Sequence, residues 1–369
     1  MIIGMDFSSL EETERKGGKF RVNGVEGDLV KILADHGANA ARLRLWLDPY
    51  GSDHTPYEGG TCDLGCVERL SRRAMEQGME VLLDFHYSDF WCDPGRQLIP
   101  KAWAGQSLDQ LCTSLYDYTA RVLDHLDKAG VAPAKVQVGN EITNGMLWPV
   151  ARLTDESPRQ GYDALAALLR AGTSAVRGSS DAQIMLHLEN SGNKALWTDW
   201  FDNITAREVN FDLIGASYYP YWHGTMEQLE DNLNHCIQRY GKDVYVVETS
   251  YPFTTRHYNP NSNTANLCIA SGCCADGRPS PYEITPEGQE RFLVDLMSLI
   301  RRLHGGRGKG LYYWEPGWVP ANGTSWASRA ALAYCGEEEK STGNEWSNQC
   351  LFDYNGDDLP ALQVFKKKA

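Results

Sequence analysis

The sequence predicts an α/β protein built as a single (β/α)8 TIM barrel that spans residues 1–369. Eight short runs of apolar and β-branched residues recur along the chain, amphipathic helical segments separate them, and most of the runs are apolar throughout. Strands that are apolar on both faces are typical of a parallel sheet covered by helices, and eight such repeats close a barrel. The length of 369 residues suits one such domain.

The predicted elements follow one another at regular intervals. The strands cover residues 1–7, 40–45, 81–85, 136–138, 184–188, 213–217, 244–247 and 310–314. Helices are predicted over 26–36, 64–78, 108–126, 165–172, 225–237, 285–299 and 359–365. Thr225 with Gln228 forms a capping box, and Pro286 after Thr285 marks another helix start. The competing fold is an open doubly wound sheet, but no Gly-x-Gly-x-x-Gly follows the first strand.

Composition narrows the classes of partner. A formal net charge of −14 argues against nucleic acid and anionic membranes, and it favours a neutral polymer over a strongly acidic one. No stretch approaches the ~20 apolar residues of a membrane span. The chain is rich in aromatic residues, with 11 Trp and 18 Tyr, which suits a groove that stacks against sugars. Trp is also ordinary core material, so composition alone leaves both roles open.

The ten cysteines predict loop crosslinks rather than a metal site. Cys335 and Cys350 flank a polar loop, and Cys268 lies near the adjacent pair Cys273 and Cys274, so these are candidate disulfides. Cys112 and Cys236 sit at apolar helical positions and are predicted to be buried free thiols. No Cys-x-x-Cys with a second pair supports zinc. We predict no metal and no cofactor.

Polar side chains collect where the predicted strands end, which is where barrel enzymes place their functional groups. These residues are Arg44, His86, Asn140, Glu141, Glu189, Tyr218, Tyr219, Glu248, Trp314 and Glu315. Hydrolysis of a glycosidic bond needs one carboxyl group to donate a proton and another to attack or to activate water. The fourth and seventh strands lie nearly opposite across a barrel mouth, so Glu141 and Glu248 can face a sugar between them. Glu189 and Glu315 also end strands, so spacing leaves the choice of pair open.

Several of these strand ends carry recognisable motifs. They are residues 4–9 (GMDFSS), 42–44 (RLR), 85–91 (FHYSDFW), 138–141 (VGNE), 217–224 (SYYPYWHG), 248–251 (ETSY), 313–316 (YWEP) and 351–353 (LFD). On these motifs, the chain resembles glycoside hydrolase family 53, the endo-β-1,4-galactanases. The resemblance runs from Met1 to about Phe365. It implies a barrel glycosidase that cleaves β-1,4-galactan, such as type I arabinogalactan or pectin side chains.

The resemblance also implies roles for the two glutamates. Glu141 would be the acid/base and Glu248 the nucleophile of a retaining, double-displacement reaction. Burial and the charge of Glu248 should hold Glu141 protonated. We expect Arg44 to be the neighbour that keeps Glu248 ionised, whereas Arg42 is either a groove residue or an internal ion pair.

Further residues are expected to bind the sugar chain. Asn140 would hydrogen-bond the sugar 2-hydroxyl, a contact that strengthens in the transition state. Either Tyr218 or Tyr219 would orient the nucleophile. The remaining candidates are polar or aromatic groups of the groove, and each Trp has the alternative of a packed loop anchor: Asp48, His86, Asp89, Trp91, Trp222, Trp314 and Trp318.

One segment departs from the family pattern. Bacterial members often carry a calcium loop after the seventh strand with the pattern Asp-x-Asp-x-His-x-Asn. Here residues 255–259 read Thr-Arg-His-Tyr-Asn and offer no carboxylate to a hard cation. We therefore predict no calcium at this place.

Two other functions compete with a galactanase. One is a related barrel glycosidase acting on β-mannan or a β-glucan, and the other is a carbohydrate-binding barrel that has lost catalysis. The presence of both carboxylates argues against the second. We expect a monomer that meets β-1,4-galactan outside the cell, in an extracellular or periplasmic location, after removal of a leader that this chain does not show. A cytoplasmic role on imported oligosaccharides is the alternative.

Overall fold

Eight parallel strands close into one barrel in a computed structural model of the chain, which describes residues 1–154, 158–259 and 267–366. The strands are β1 (Ile2–Asp6), β2 (Ala40–Leu45), β3 (Glu80–Phe85), β4 (Lys135–Val138), β5 (Gln183–Leu188), β6 (Leu213–Ser217), β7 (Asp243–Thr249) and β8 (Gly308–Trp314). Each strand pairs with its neighbours in chain order. The barrel closes where Asp6 of β1 pairs with both Trp314 of β8 and Arg42 of β2. The predicted (β/α)8 barrel is confirmed.

Helices cover the outside of the barrel. They are α1 (Leu10–Arg15), α2 (Leu29–Asp35), α3 (Leu64–Glu76), α4 (Leu108–Lys128), α5 (Pro158–Ser179), α6 (Lys194–Ala206), α7 (Met226–Tyr240), α8 (Pro286–Arg302), α9 (Arg329–Cys335) and α10 (Gln363–Lys366). Short hairpins pair Phe20–Val22 with Val25–Gly27, and Gly145–Met146 with Ala151–Arg152. No helix in the described ranges is both long and apolar enough to cross a membrane.

The helix predictions differ from the structure at several places. Helices α1, α6 and α9 are not among the predicted elements, although Trp197, Trp200, Phe201 and Ile204 of α6 are buried at helical spacing. The helix predicted from residue 26 begins later, because Asp28 caps α2 by accepting from the Lys31 amide. Part of the loop between β7 and α8 lies outside the described residues.

Inward-facing side chains fill the barrel in two tiers. The tier nearer the amino ends of the strands is apolar and consists of Ala40, Leu82, Met185, Leu213, Tyr245, Val247 and Tyr312. Side chains of a strand alternate between its two faces, so the residues two positions further along face inward as well: Arg42, Asp84 and His187. Ser217 faces inward for the same reason, four residues after Leu213. An apolar plug therefore supports a polar tier beneath the barrel mouth.

The predicted disulfides are wrong, since all ten cysteines are free. Cys350 is buried in the main core around the barrel, whereas Cys335 on α9 packs against a separate cluster around Trp46. Cys274 is buried against the carbonyls of Pro220 and Pro279 and not against another cysteine. These thiols fill space in the core instead of joining loops.

The apolar plug generates a stability prediction at Gly4. A Cβ atom at this β1 position would lie 2.1 Å from Cδ1 of the buried Tyr312 ring, which has little room to shift. Gly4→Ala should therefore lower the free energy of unfolding by about 1–3 kcal/mol through overpacking. Urea unfolding measures this change. Gly272→Ala is the matched control because nothing lies within 4 Å of its added Cβ; equal stability of the two variants would contradict the prediction.

Candidate active site

A cavity of about 690 Å³ opens at the carboxyl ends of the strands. Its walls include Arg44, His86, Trp91, Asn140, Glu141, Tyr219, Trp222, Glu248 and Trp314, all of them predicted site residues. Among the described residues that line the cavity, the glutamates are Glu141, Glu248 and Glu345. The structure therefore brings the fourth-strand and seventh-strand glutamates together.

A sharp turn after β4 presents Glu141 to the cavity. Gly139 has a φ of +87°, and a Cβ there would lie 2.8 Å from the Ile142 side chain. Glu141 itself has a φ of 48° and a ψ of 53°, a left-handed conformation that few non-glycine residues adopt. Such backbone strain persists where the surroundings impose it, and it is concentrated at functional sites.

A bulge in β7 turns Glu248 toward the cavity. Tyr245 and Val247 already face inward, so strict alternation would point Glu248 outward against the helices. The pairing with β6 shifts by one residue at this place: Ala216 pairs with Val246, but Ser217 pairs with Glu248. The extra residue gives Glu248 the inward orientation of Ser217.

The two glutamates lie close together but have different surroundings. One carboxylate oxygen of each lies within 4.8 Å of the other, and both lie within that distance of a ring nitrogen of His187. Burial raises the pKa of Glu141 well above its ordinary value, and the charges of Glu248 and Glu189 add smaller contributions in the same direction. Burial also raises the pKa of Glu248, but the Arg42 guanidinium opposes this rise.

Arg42 is the cation beside Glu248. Its guanidinium lies 2.8 Å from a carboxylate oxygen of Glu248, and also 2.8 Å from oxygens of Asp6 and Asp84. The Arg42 Nη2 group donates to Asn140 Oδ1 at 2.8 Å. Only 1% of the Arg42 side chain is exposed, so these contacts form away from bulk water and are strong.

The cluster of Glu141, His187 and Glu248 offers three donor atoms to a metal ion. However, the Arg42 cation already lies against Glu248. Both ring nitrogens of His187 lie within 3.0 Å of protein polar atoms, Nδ1 beside Gln137 and Nε2 beside Ser217. A second cation would be repelled here, so the arrangement suits proton transfer better than metal binding.

Comparison with known proteins agrees with this geometry. A family model described as glycosyl hydrolase family 53 matches residues 2–365. The chain belongs to this family. It is 39% identical to an uncharacterized protein of Niallia circulans, over 99% of this chain and 93% of that protein. It is 36% identical to the endo-beta-1,4-galactanase of Bacillus subtilis strain 168, over 99% of this chain and 85% of that protein.

A solved structure gives the same result. The family 53 catalytic domain of Ignisphaera aggregans superimposes with a TM-score of 0.88 at 36% identity, covering 99% of this chain and 95% of that domain. The predicted family is therefore confirmed, and this family 53 protein is a glycoside hydrolase.

The prediction that Arg44 is the partner of Glu248 is wrong. Its Nη1 group donates to Glu315 at 2.6 Å, and its Nη2 group donates to the Gly59 carbonyl. The guanidinium also stacks over Trp91, 4.1 Å from the ring centroid. These contacts hold Arg44 on the β1 and β8 side of the family 53 barrel, and Arg42 takes the position beside Glu248.

The two tyrosines after β6 point in different directions, and only one hydroxyl of the two lies beside Glu248. The Tyr219 hydroxyl lies 3.4 Å from Glu248 Oε2 and donates to it, and burial keeps its pKa well above the ordinary value. Tyr218 faces away from the cavity, with its hydroxyl on the Gly224 carbonyl and its ring stacked on Phe292 of α8. The prediction of Tyr218 as a groove residue is therefore wrong.

Three more predicted contacts lie outside the described cavity wall. Asp89 is fully buried and accepts from the amides of Asp48 and Lys101. Asp48 forms an ion pair with Lys101 at the loop surface. Trp318 is fully buried against Trp91 and Trp314 and serves as a packed anchor. Asp48, Asp89 and Trp318 thus organise the loops of the site and do not face the groove.

Sequence reasoning missed part of the cavity wall. The missed residues come from the loops after β3, β6 and β8: Asp93, Arg96, His223, Trp326, Lys340, Glu345 and Trp346. Trp346 packs edge-on against both Trp222 and Trp314, which extends the aromatic surface of the groove. Loop residues have no periodicity to reveal their direction, although the aromatic content of the segment after β8 was a usable signal.

The Arg42 contacts generate a prediction about stability and pH. Arg42→Met leaves buried carboxylates without their cation, so we expect the free energy of unfolding to fall by about 3–5 kcal/mol near neutral pH. The loss should shrink in acid. Without Arg42 the folded-state pKa of Glu248 rises further above its unfolded value, so the cost builds up above the unfolded pKa and fades as the pH falls toward it.

Urea unfolding of the Arg42→Met variant at neutral and at acidic pH measures both effects. The control is Arg239→Met, which removes an ion pair with Asp202 at the protein surface and should leave stability near that of the wild type. A loss for Arg42→Met that stays constant with pH would show that packing, and not charge, explains the effect.

Proposed function

We propose that this family 53 enzyme is a retaining endo-β-1,4-galactanase that hydrolyses β-1,4-galactan, including type I arabinogalactan and pectin side chains. The family assignment and the name of the Bacillus subtilis relative support the substrate. One observation carries the mechanism: two buried glutamates have oxygens within 4.8 Å of each other, and of these two only Glu248 has a guanidinium partner among the described residues. Retaining glycosidases keep their carboxyl groups about 5–5.5 Å apart, whereas inverting enzymes leave room for a water.

In the proposed first step, a Glu248 carboxylate oxygen attacks the anomeric carbon. Glu141 gives its proton to the departing glycosidic oxygen, so the bond breaks without forming a free alkoxide. The product is a galactosyl ester on Glu248, with the rest of the polymer released as an alcohol. In the second step, Glu141 accepts a proton from water, and that water attacks the same carbon and frees Glu248. Two inversions give retention.

The surroundings support this division of roles. Arg42 stabilises the ionised form of Glu248, and the Tyr219 hydroxyl holds its other oxygen. Glu141 is buried beside the negative charges of Glu248 and Glu189, and the described part of the chain offers it no such cation, which favours its protonated form. When Glu248 becomes an ester its charge disappears, so Glu141 more readily becomes ionised and acts as the base in the second step.

The groove side chains would bind the sugar chain. We propose that Asn140 reaches the 2-hydroxyl of the reacting sugar, because Arg42 and the Cys92 carbonyl fix its amide at the cavity wall. Trp91, Trp222 and Trp314 offer aromatic faces, while His86 and Arg44 offer polar atoms. Trp222 is the most accessible of these rings, with 40% of its surface exposed.

We also propose that the chain acts as one catalytic domain and as a monomer. The family match over residues 2–365 supports the single domain. A polymeric substrate supports action outside the cell, in an extracellular or periplasmic location.

Product analysis with azide tests the substrate and the two roles together. Wild-type enzyme should release short oligosaccharides of retained configuration from linear β-1,4-galactan, and none from β-mannan or β-glucan. Glu141→Ala should lose at least about 100-fold in kcat/KM on galactan, and azide should rescue it on an activated aryl glycoside as the β-glycosyl azide. Glu248→Ala should lose at least about 10³-fold, and azide should give the α-azide.

Glu283→Gln serves as the control, since this glutamate is exposed and lies on another part of the surface. Exchange of the two azide configurations would reverse the assigned roles. Cleavage of mannan or glucan instead of galactan would keep the mechanism and overturn the substrate. No cleavage of any polymer would support a binding protein.

The pH dependence of kcat/KM should be bell-shaped. Activity requires Glu248 ionised, so it should fall on the acidic side at a pH above the ordinary glutamate value of 4.5, because burial raises the pKa of Glu248. Activity also requires Glu141 protonated, so the alkaline limb reports the strongly raised pKa of that group. Glu141→Gln should remove the alkaline limb on an activated aryl glycoside and keep the acidic one. Loss of the acidic limb in this variant would contradict the assignment.

A further inference from the structure

The hydroxyl of Ser217 joins Glu141 to a buried histidine that the proposed mechanism does not use. Ser217 is the last residue of β6, and its Oγ lies 2.5 Å from Glu141 Oε1. The same Oγ lies 2.9 Å from Nε2 of His187 on β5. Both Ser217 and His187 are fully buried in the polar tier. A three-residue hydrogen-bonded chain therefore ends on the carboxyl group that must deliver a proton.

The direction of these hydrogen bonds follows from their neighbours. The Gln137 amide is oriented by Arg42, which donates to its oxygen, and by Asp84, which accepts from its nitrogen at 2.5 Å. The second Nε2 hydrogen of Gln137 has three acceptors within reach, and His187 Nδ1 at 3.0 Å is nearer than the Gly139 carbonyl and Asn140 Oδ1, both at 3.1 Å. Burial, then the charge of Arg42, lowers the pKa of His187 well below its ordinary value, so the ring is neutral and carries one proton.

With Nδ1 accepting, the His187 proton lies on Nε2 and is donated to Ser217 Oγ. The single proton of the Ser217 hydroxyl then points to Glu141 Oε1. The other carboxyl oxygen, Oε2, receives no hydrogen bond from the part of the chain that the structure describes, and Glu141 lines the cavity. An acid proton on Oε1 would clash with the Ser217 proton, so it belongs on Oε2.

We propose that Ser217, held by His187, is a positioning residue that keeps the transferable proton of Glu141 on Oε2, facing the glycosidic oxygen. This inference rests on the proposed function, because it assumes that Glu141 is the acid. It extends that function by naming the groups that decide which of two oxygens reacts. If the proton were on Oε1 instead, it would point into the barrel and could not reach the leaving group.

The same contact also adjusts the strength of the acid. Burial and the carboxylates of Glu248 on β7, Glu189 on β5 and Asp93 in the loop after β3 raise the pKa of Glu141. The Ser217 hydrogen bond is the contact that lowers it. Removing the hydroxyl should therefore raise the pKa of Glu141 further and move the alkaline limb of the pH profile to higher pH.

A second tautomer is the physical alternative. His187 Nδ1 also lies 3.0 Å from Asn140 Oδ1 and could donate to it. Ser217 would then donate to His187, and Glu141 would hold its proton on Oε1 toward Ser217. In that arrangement Ser217 would draw the proton away from the groove, and its removal would assist catalysis on galactan.

Leaving-group dependence separates these cases. Galactan has a poor leaving group that needs an acid, whereas the dinitrophenyl β-glycoside of β-1,4-galactobiose needs none. For Ser217→Ala, kcat/KM should fall about 10-fold or more on galactan and change less than about 2-fold on the aryl glycoside. The alkaline limb on galactan should move to higher pH. Ser217→Thr retains a hydroxyl and should restore both properties.

Two further variants guard against effects on folding. Ser71→Ala removes another fully buried hydroxyl on the outer helix α3, one with no hydrogen-bond partner among the residues described, and should leave activity on both substrates unchanged. If Ser217→Ala does not fold, Ser217→Cys keeps the volume with a weak donor and should show the same selective loss on galactan.

Each outcome decides the inference. A loss of equal size on both substrates would show a structural role, and no loss, or a gain on galactan, would show that Ser217 does not hold the proton in place; all three overturn the proposal. Wild-type enzyme that cleaves neither substrate would instead remove the proposed function on which the inference rests.

Discussion

The buried guanidinium of Arg42 is the contact on which the site depends. It lies 2.8 Å from carboxylates on three other strands, Asp6, Asp84 and Glu248, and 1% of its side chain is exposed. Buried carboxylates are costly without a cation, so this one side chain permits acidic groups to meet inside a closed barrel. It also fixes Asn140 and Gln137, whose amides orient the groups around Glu141.

Much of this arrangement could be predicted from the sequence because a strand has a strict period of two. Once Ala40 and Leu82 are assigned to the barrel interior, Arg42 and Asp84 must face the same way two residues later. The apolar strands with helices between them indicate the closed sheet. The positions of Glu141 and Glu248 at strand ends follow from the same pattern, and the motifs selected this pair over Glu189 and Glu315.

The rest depends on contacts that no period reveals. Strict alternation would turn Glu248 outward, and only the one-residue shift against Ser217 brings it inward. Arg42 and Arg44 face the same way, and what separates them is the loop after β3, whose Trp91 covers Arg44. Cys335 and Cys350 flank one loop in sequence but pack into different clusters in space. Loop direction and local register are tertiary properties, so they escape a reading of one segment at a time.

The balance of charge in the polar tier explains why two identical side chains can have opposite protonation states. Asp6, Asp84, Glu248 and Glu315 share the guanidiniums of Arg42 and Arg44. His86 adds a donor to Asp84, since the Trp46 and Cys92 N–H groups occupy its Nδ1 and leave Nε2 to carry the proton. Within the part of the chain that the structure describes, the ion pairs of Arg42 and Arg44 go to these other carboxylates and none goes to Glu141. A further ionised carboxylate would lack a nearby guanidinium, which favours the protonated form of Glu141, whereas Arg42 favours the ionised form of Glu248. Under the proposed mechanism, the placement of the cations within the barrel, and not the glutamates themselves, would therefore decide which glutamate is the acid.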